Sequence, residues 1–307
     1  MPASKGSRSQ GIAKITGPLL VGLAAFLWAT DAVVRFPAIH RVDATFLVFV
    51  EHALVVLLLL PWMLYKYKKT FLSLSPSEWL SAIFCGIGGS AIATVFFTAS
   101  FQFINPSVAV LIQKLQPVMV VLIAYLFLGE RPARKFYIWG AVALAAGLVL
   151  SFPDLNFDFL SSSTNLHSRG IHYAFGAAVL WAASTVAGKI LLKRTPPTVA
   201  IFWRFFFGLL SLIAILWLAR VPLPFHALTS ESTVAALLYL SLIPGLLAML
   251  VYYMGLATTS ASVTTMIELL YPIGAVILNT IFLHTPLDSV QMISGGILVL
   301  AVGVISF

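Results

Sequence analysis

The sequence predicts an all-α integral membrane protein, with ten transmembrane helices forming two inverted five-helix repeats around a central cavity. Three observations carry that reading. Of 307 residues, 60% are hydrophobic and 9% charged, with mean hydropathy +1.02; soluble domains carry roughly 25% charged residues. Ten apolar runs follow one another, most of them near the ~20 residues that cross a bilayer. The second five runs repeat landmarks of the first at a near-constant offset.

In order, the runs cover residues 17–36, 43–64, 78–101, 106–128, 134–152, 170–192, 197–219, 233–256, 260–283 and 287–306. Lys5, Arg8 and Lys14 precede the first and also suit a signal peptide. The run is longer than the roughly 7–15 apolar residues of such a leader, and it recurs later, so it reads as a span after a tail at 1–16. The third run carries the small residues of "CGIGGS" (85–90), which suit close helix approach. The fourth carries "LIQKLQPV" (111–118), a polar interruption in an otherwise apolar helix. A charge at a span's centre costs roughly 2.5–3.5 kcal/mol, so Lys114 needs an explanation. The fifth and tenth runs hold Gly140, Gly147, Gly295 and Gly296, suited to packing inside the chain or between subunits; monomer and homodimer both fit. Trp62, Trp79, Trp139 and Trp217 fall at run ends, where interfacial belt residues sit.

The repeat rests on rare residues. Shifted by 153, "AAFLWA" (24–29) lies on "AAVLWA" (177–182), and Gly17 lies on Gly170. Shifted by 155, Ser107-Val108 lies on Ser262-Val263, Pro117 on Pro272 and Gly140 on Gly295. The halves are thus 17–152 and 170–307, joined by a polar linker at 153–169. Five is odd, so the second half enters the membrane with opposite orientation, as in transporters with a site near the midplane. Loop charges agree. Lys5, Arg8, Lys14, Lys66, Lys68, Lys69, Arg131, Arg134, Lys135, Lys193 and Arg194 share one side, against Arg41, Arg169 and Arg220 on the other. The positive-inside rule makes both termini cytoplasmic.

The charge of +8 does not form a nucleic-acid-binding stripe, and the single cysteine, Cys85, permits no internal disulfide. No metal-ligand, phosphate-loop or nucleophile motif appears, so the sequence implies no cofactor, no metal and no enzyme, and an intramembrane enzyme is a distant alternative. The expected partners are the bilayer and a small-molecule substrate.

Ionisable residues inside spans are functional candidates by default. Under the 155 shift Gln113 lies on Glu268 and Gln116 on Tyr271, each just before a proline. Pro117 and Pro272 are the candidate bending and gating points. The fourth and ninth spans are expected to meet at the pseudo-axis, with Lys114 near Glu268. Glu51 and Arg204 are mates under the 153 shift; with Asp31 and His52 they read either as charge-coupling groups or as structural anchors. Trp28 and Trp181 lie mid-span, where they either pack or wall a ligand, and Phe97 has Tyr252 as its mate.

The segment "SVAVLIQKLQPVMVVLIAYLFLGERP" (107–132) and "FWRFF" (202–206) resemble the repeats of the drug/metabolite transporter superfamily, of EamA type. The resemblance covers essentially the whole chain. It departs at "FVEHA" (49–53), where the family's arginine would sit, and at "LHTPL" (283–287) in place of "LGERP". Within the family the chain is most similar to bacterial exporters of aromatic amino acids. That resemblance implies export of aromatic and other neutral amino acids across the inner membrane by alternating access, with Lys114 and Glu268 meeting the substrate's charges or holding neighbours in place. Export of drugs, nucleotide sugars or purines is the alternative.

Overall fold

The computed structural model describes residues 5–68, 71–152, 154, 165–221, 223, 229–283 and 288–307. Lys69, most of the linker with Asp158, and residues 284–287 of the divergent "LHTPL" lie outside the described residues.

Among the described residues, ten helices are long and apolar enough to cross a membrane: Ile15–Ala38, Ala44–Lys66, Pro76–Ser100, Val108–Leu128, Arg134–Ser151, Ser168–Leu191, Pro197–Leu218, Glu231–Thr258, Ala261–Leu278 and Ser289–Ser306. They are called spans 1 to 10 below. The expected tail is helical from Lys5 and runs directly into span 1. Sequence chemistry sets the ends. Asp43 caps span 2 by accepting the Thr45 N–H at 2.7 Å. Ser75 and Glu78 form a reciprocal capping box before span 3, as Asp288 and Gln291 do before span 10. Gly129 ends span 4 at φ 67°, a left-handed cap that a residue without Cβ adopts freely.

Spans 3 and 8 each contain a π-helical stretch at equivalent positions, Cys85–Ile92 and Ser241–Leu247. In span 8 the cause is Pro244, which has no N–H for the Leu240 carbonyl, so the turn widens. In span 3 the small residues of the Gly-rich run permit the same widening.

Packing interlaces the halves. Span 1 lies on spans 8 and 9, and its mate, span 6, lies on spans 3 and 4. Span 2 packs on span 7, span 4 on span 9, and span 5 on span 10. Each contact maps onto itself or another when the halves are exchanged, which is the signature of the inverted repeat. Gly17 and Gly170 are mates in function too. A Cβ on Gly17 would collide with the hydroxyls of Thr258 and Thr259, and one on Gly170 would stand 2.7 Å from Ile104.

Two expectations change. Trp62 and Trp217 are exposed at 46% and 78%, as belt residues should be, but Trp79 packs edge-on against Trp203 at 4.8 Å. Of the span 5 and 10 glycines, Gly140 faces Met266, Gly147 faces Leu298 and Gly295 faces Leu150, all within the chain, whereas Gly296 meets open space.

Candidate functional site

The polar interruptions break both helices. Span 4 divides into Pro106–Gln113 and Gln116–Leu128, with Lys114 and Leu115 turned tightly between them through N–H bonds to Leu111 and Ile112 at 3.0 Å. Span 9 divides at the same place, where Ala261–Ile267 gives way to a 3-10 turn at Glu268–Leu270 before Tyr271–Leu283. Pro117 and Pro272 follow the breaks in the first turn of the next helix, where a residue without an N–H leaves no helical bond unmade. Each break puts side chains and backbone beside a cavity of about 200 Å³.

The side chains expected from the sequence to line the cavity, bend the spans or couple charge all face this cavity. Gln113, Lys114, Gln116 and Pro117 come from span 4, and Glu268, Tyr271 and Pro272 from span 9. Trp28 and Asp31 come from span 1, Glu51 and His52 from span 2, Phe97 from span 3, Trp181 from span 6, Arg204 from span 7 and Tyr252 from span 8.

The aromatic wall follows the repeat. Trp28 packs on Tyr252 with ring centroids 5.0 Å apart, and their mates Trp181 and Phe97 do so at 5.1 Å. Each indole N–H is anchored in the opposite half's π-turn. Trp28 donates to the Pro244 carbonyl at 3.0 Å, and Trp181 donates to the Gly89 carbonyl at 2.9 Å. Pro244 and Gly89 are themselves repeat mates. A buried indole N–H needs a partner, and a carbonyl of the widened turn supplies it.

Charged groups are distributed unevenly. Arg35 grips Asp31 with two bonds of 2.7 Å and reaches Glu51 at 2.9 Å and the Thr98 hydroxyl at 3.3 Å. Arg204 donates to Ser184 Oγ at 2.7 Å, Tyr253 Oη at 3.2 Å and the Gly89 carbonyl at 2.9 Å. His52 Nδ1 lies 2.7 Å from the Val48 carbonyl, which can only accept, so Nδ1 carries the proton and Nε2 accepts from Ser90 Oγ at 2.8 Å. Glu268 accepts from Tyr252 Oη at 2.8 Å and Gln116 Nε2 at 3.2 Å, while Thr185 and Tyr252 hydroxyls meet at 3.1 Å.

The expected meeting of Lys114 with Glu268 does not occur. Among the described residues Lys114 makes no ion pair or hydrogen bond through Nζ, which lies beside Gly147 of span 5. Helical spacing placed both residues at the breaks but could not show that Tyr252 and Gln116 reach Glu268 first. Sequence reasoning also passed over Ser90, Ser184 and Thr185, whose hydroxyls read as ordinary apolar-span residues. Arg35 was a candidate from the sequence as an ionisable residue inside a span, and it lies i,i+4 from Asp31.

At the face where the termini lie, a polar clasp ties the spans around the cavity together. Span 4 meets span 9 there, and Glu130 accepts the N–H groups of Ala261 and Ser262 at 2.8 and 2.9 Å and the Ser262 hydroxyl at 2.5 Å. Lys189 donates to the carbonyls of Leu256, Ala257 and Thr259 at 2.8, 3.1 and 2.7 Å, fastening the end of span 8. No comparable packing joins Pro106–Gln113 to Tyr271–Leu283 at the opposite face, among the described residues. Under the shifts Glu130 lies on Thr285 and Lys189 on Phe36, so the repeat does not duplicate the two charged side chains of the clasp.

Comparison with known proteins agrees with this architecture. Residues 15–152 and 168–307 each match the model of the EamA-like transporter family. The riboflavin transporter ImpX of Fusobacterium nucleatum is 29% identical over 94% of this chain and 96% of its own. An uncharacterized transporter of Archaeoglobus fulgidus is 28% identical over 92% of this chain and 94% of its own. A solved crystal structure superposes with TM-score 0.73 over 94% of this chain and 96% of its own, at 19% identity, a likeness of fold. Ten apolar spans, the interlaced repeat and the two-fold family match make this chain a multi-pass membrane protein of the EamA-like transporter family.

Proposed function

We propose that this protein exports aromatic and other small neutral amino acids by alternating access, with the cavity between the two broken spans as its site. It would do so in a bacterial inner membrane with both termini cytoplasmic. The observation carrying this reading is a cavity of about 200 Å³ walled by two repeat-related aromatic pairs, Trp28–Tyr252 and Trp181–Phe97. Pockets for drug-sized ligands run to roughly 300–1,000 Å³, so this space suits a solute with a single ring. A clasp on one face, with no comparable packing of the broken spans 4 and 9 at the other among the described residues, fits one end state of alternating access.

A second reading is favoured by the similarity to the riboflavin transporter, namely transport of a flavin or another neutral heteroaromatic solute. Purified protein in liposomes, loaded with labelled phenylalanine or with riboflavin, separates the two. Phenylalanine flux that exceeds empty liposomes and saturates supports the first reading. Riboflavin flux without phenylalanine flux replaces it with the second.

A further inference from the structure

The carboxylates lining the cavity are Asp31, Glu51 and Glu268. Two of them share Arg35. Glu268 alone has no cationic partner among the described residues, because Arg204 is held by Ser184, Tyr253 and Gly89, and Lys114 points elsewhere. A carboxylate in the middle of a span without a counter-charge is costly, and such groups mark sites of substrate or ion contact.

Its surroundings fix its aim. Tyr252 takes one carboxylate oxygen from span 8 and Gln116 the other from span 4, so the group is held from two sides by neutral donors. Each oxygen keeps accepting capacity. Tyr252, one of these donors, also packs on the Trp28 ring, and Tyr271 lies three residues along span 9 on the cavity wall. A fixed carboxylate beside aromatic faces is the combination that takes an organic ammonium, through a charge-assisted hydrogen bond and cation–π attraction.

We propose that Glu268, held by Tyr252 and Gln116 beside Trp28, recognises a protonated amine, so that the substrate class is ammonium-bearing. This rests on the amino-acid reading above and narrows it: the amine is required at this subsite, and a neutral flavin does not satisfy it.

The test uses three phenyl compounds that differ only in their charged ends. Flux of labelled phenylalanine into proteoliposomes is measured against unlabelled phenylalanine, phenethylamine, which keeps the ammonium, and 3-phenylpropionate, which lacks it. Wild-type protein is expected to prefer the amine-bearing competitors by roughly 10-fold or more, the range of one charge-assisted bond. Glu268→Gln, which keeps the shape and an acceptor for Tyr252, is expected to reduce that preference to within about two-fold by removing this charge-assisted contact. Equal competition by 3-phenylpropionate in the wild type overturns the proposal, as does a preference that survives in Glu268→Gln. Absence of any phenylalanine flux overturns the amino-acid reading instead. The same amine and acid are then compared by their thermal stabilisation of purified wild-type protein, where amine-selective stabilisation upholds the subsite and its absence overturns it.

Discussion

Replacing Glu130 by Ala removes three acceptor contacts at the start of span 9, to Ala261 N, Ser262 N and Ser262 Oγ. Hydrogen bonds to a charged group contribute roughly 1.5–3 kcal/mol each, so a plain sum would reach several kcal/mol. That sum overcounts, because Glu130 is only half-buried, water can reach the freed N–H groups, and Ser260 still caps Val263 N. Loss of an N-cap costs about 0.5–2 kcal/mol, and the charge places this one at the upper end, about 2 kcal/mol. Since the contact exists only while spans 4 and 9 meet, that energy shifts the closed-to-open ratio of this face by roughly 30-fold. The readout is a cysteine at Thr265, which lines the cavity three residues beyond Ser262 and is 0% exposed. The chain's own Cys85 is buried and gives the background. An impermeant maleimide applied from the terminal face is expected to label Thr265→Cys many-fold faster when Glu130→Ala is added. Labelling within two-fold of the parent, in protein that remains folded, would refute the reasoning that this clasp holds the face shut.

Other perturbations have equally definite outcomes. Lys114→Met removes a lysine with no partner among the described residues and is expected to raise thermal stability in detergent by about 1–3 kcal/mol, since an unpaired charge mid-span is a net cost; a fall in melting temperature would reveal a partner. Arg35→Met leaves Asp31 and Glu51 facing each other without their shared cation and is expected to cost about 3–5 kcal/mol, whereas Glu51→Gln is milder because Arg35 keeps Asp31. Melting curves of the two variants check that order. Gly86→Ala drives a Cβ to 2.8 Å from the Arg204 carbonyl and 2.9 Å from the Gly208 nitrogen, both backbone atoms. Spans 3 and 7 must separate, so folded yield measured by size-exclusion fluorescence should drop sharply.

The spans and the repeat were legible because each depends on a local quantity. Run length against bilayer thickness gives the helices, and Trp, Pro and Gly at constant offset give the duplication. The breaks in spans 4 and 9 were legible for the same reason, since a polar pair before a proline is a local signal. Contacts between halves were not. The acceptors of Trp28 and Trp181 lie 216 and 92 residues away in π-turns whose existence depends on packing. Lys114 and Glu268 sit at paired breaks, Gln113 being the mate of Glu268, yet they make no contact, because the offset fixes depth and leaves the direction of each side chain open. Trp79 sits at a span end as a belt residue would, yet aromatic neighbours on span 7 draw it inward.

The crossed indole bonds bear on how the chain is made. Span 1 anchors in span 8, and span 6 anchors in span 3, so each half holds a donor or acceptor that only the other can match. As the first five spans emerge, Trp28 has no Pro244 and Gly89 no Trp181. Folding can therefore be completed only once span 8 has been inserted, and a nascent first half would need shielding until then. The two halves behave as subunits of a dimer that happen to share a backbone: cut in the linker and produced together they should find each other, and produced alone neither should persist.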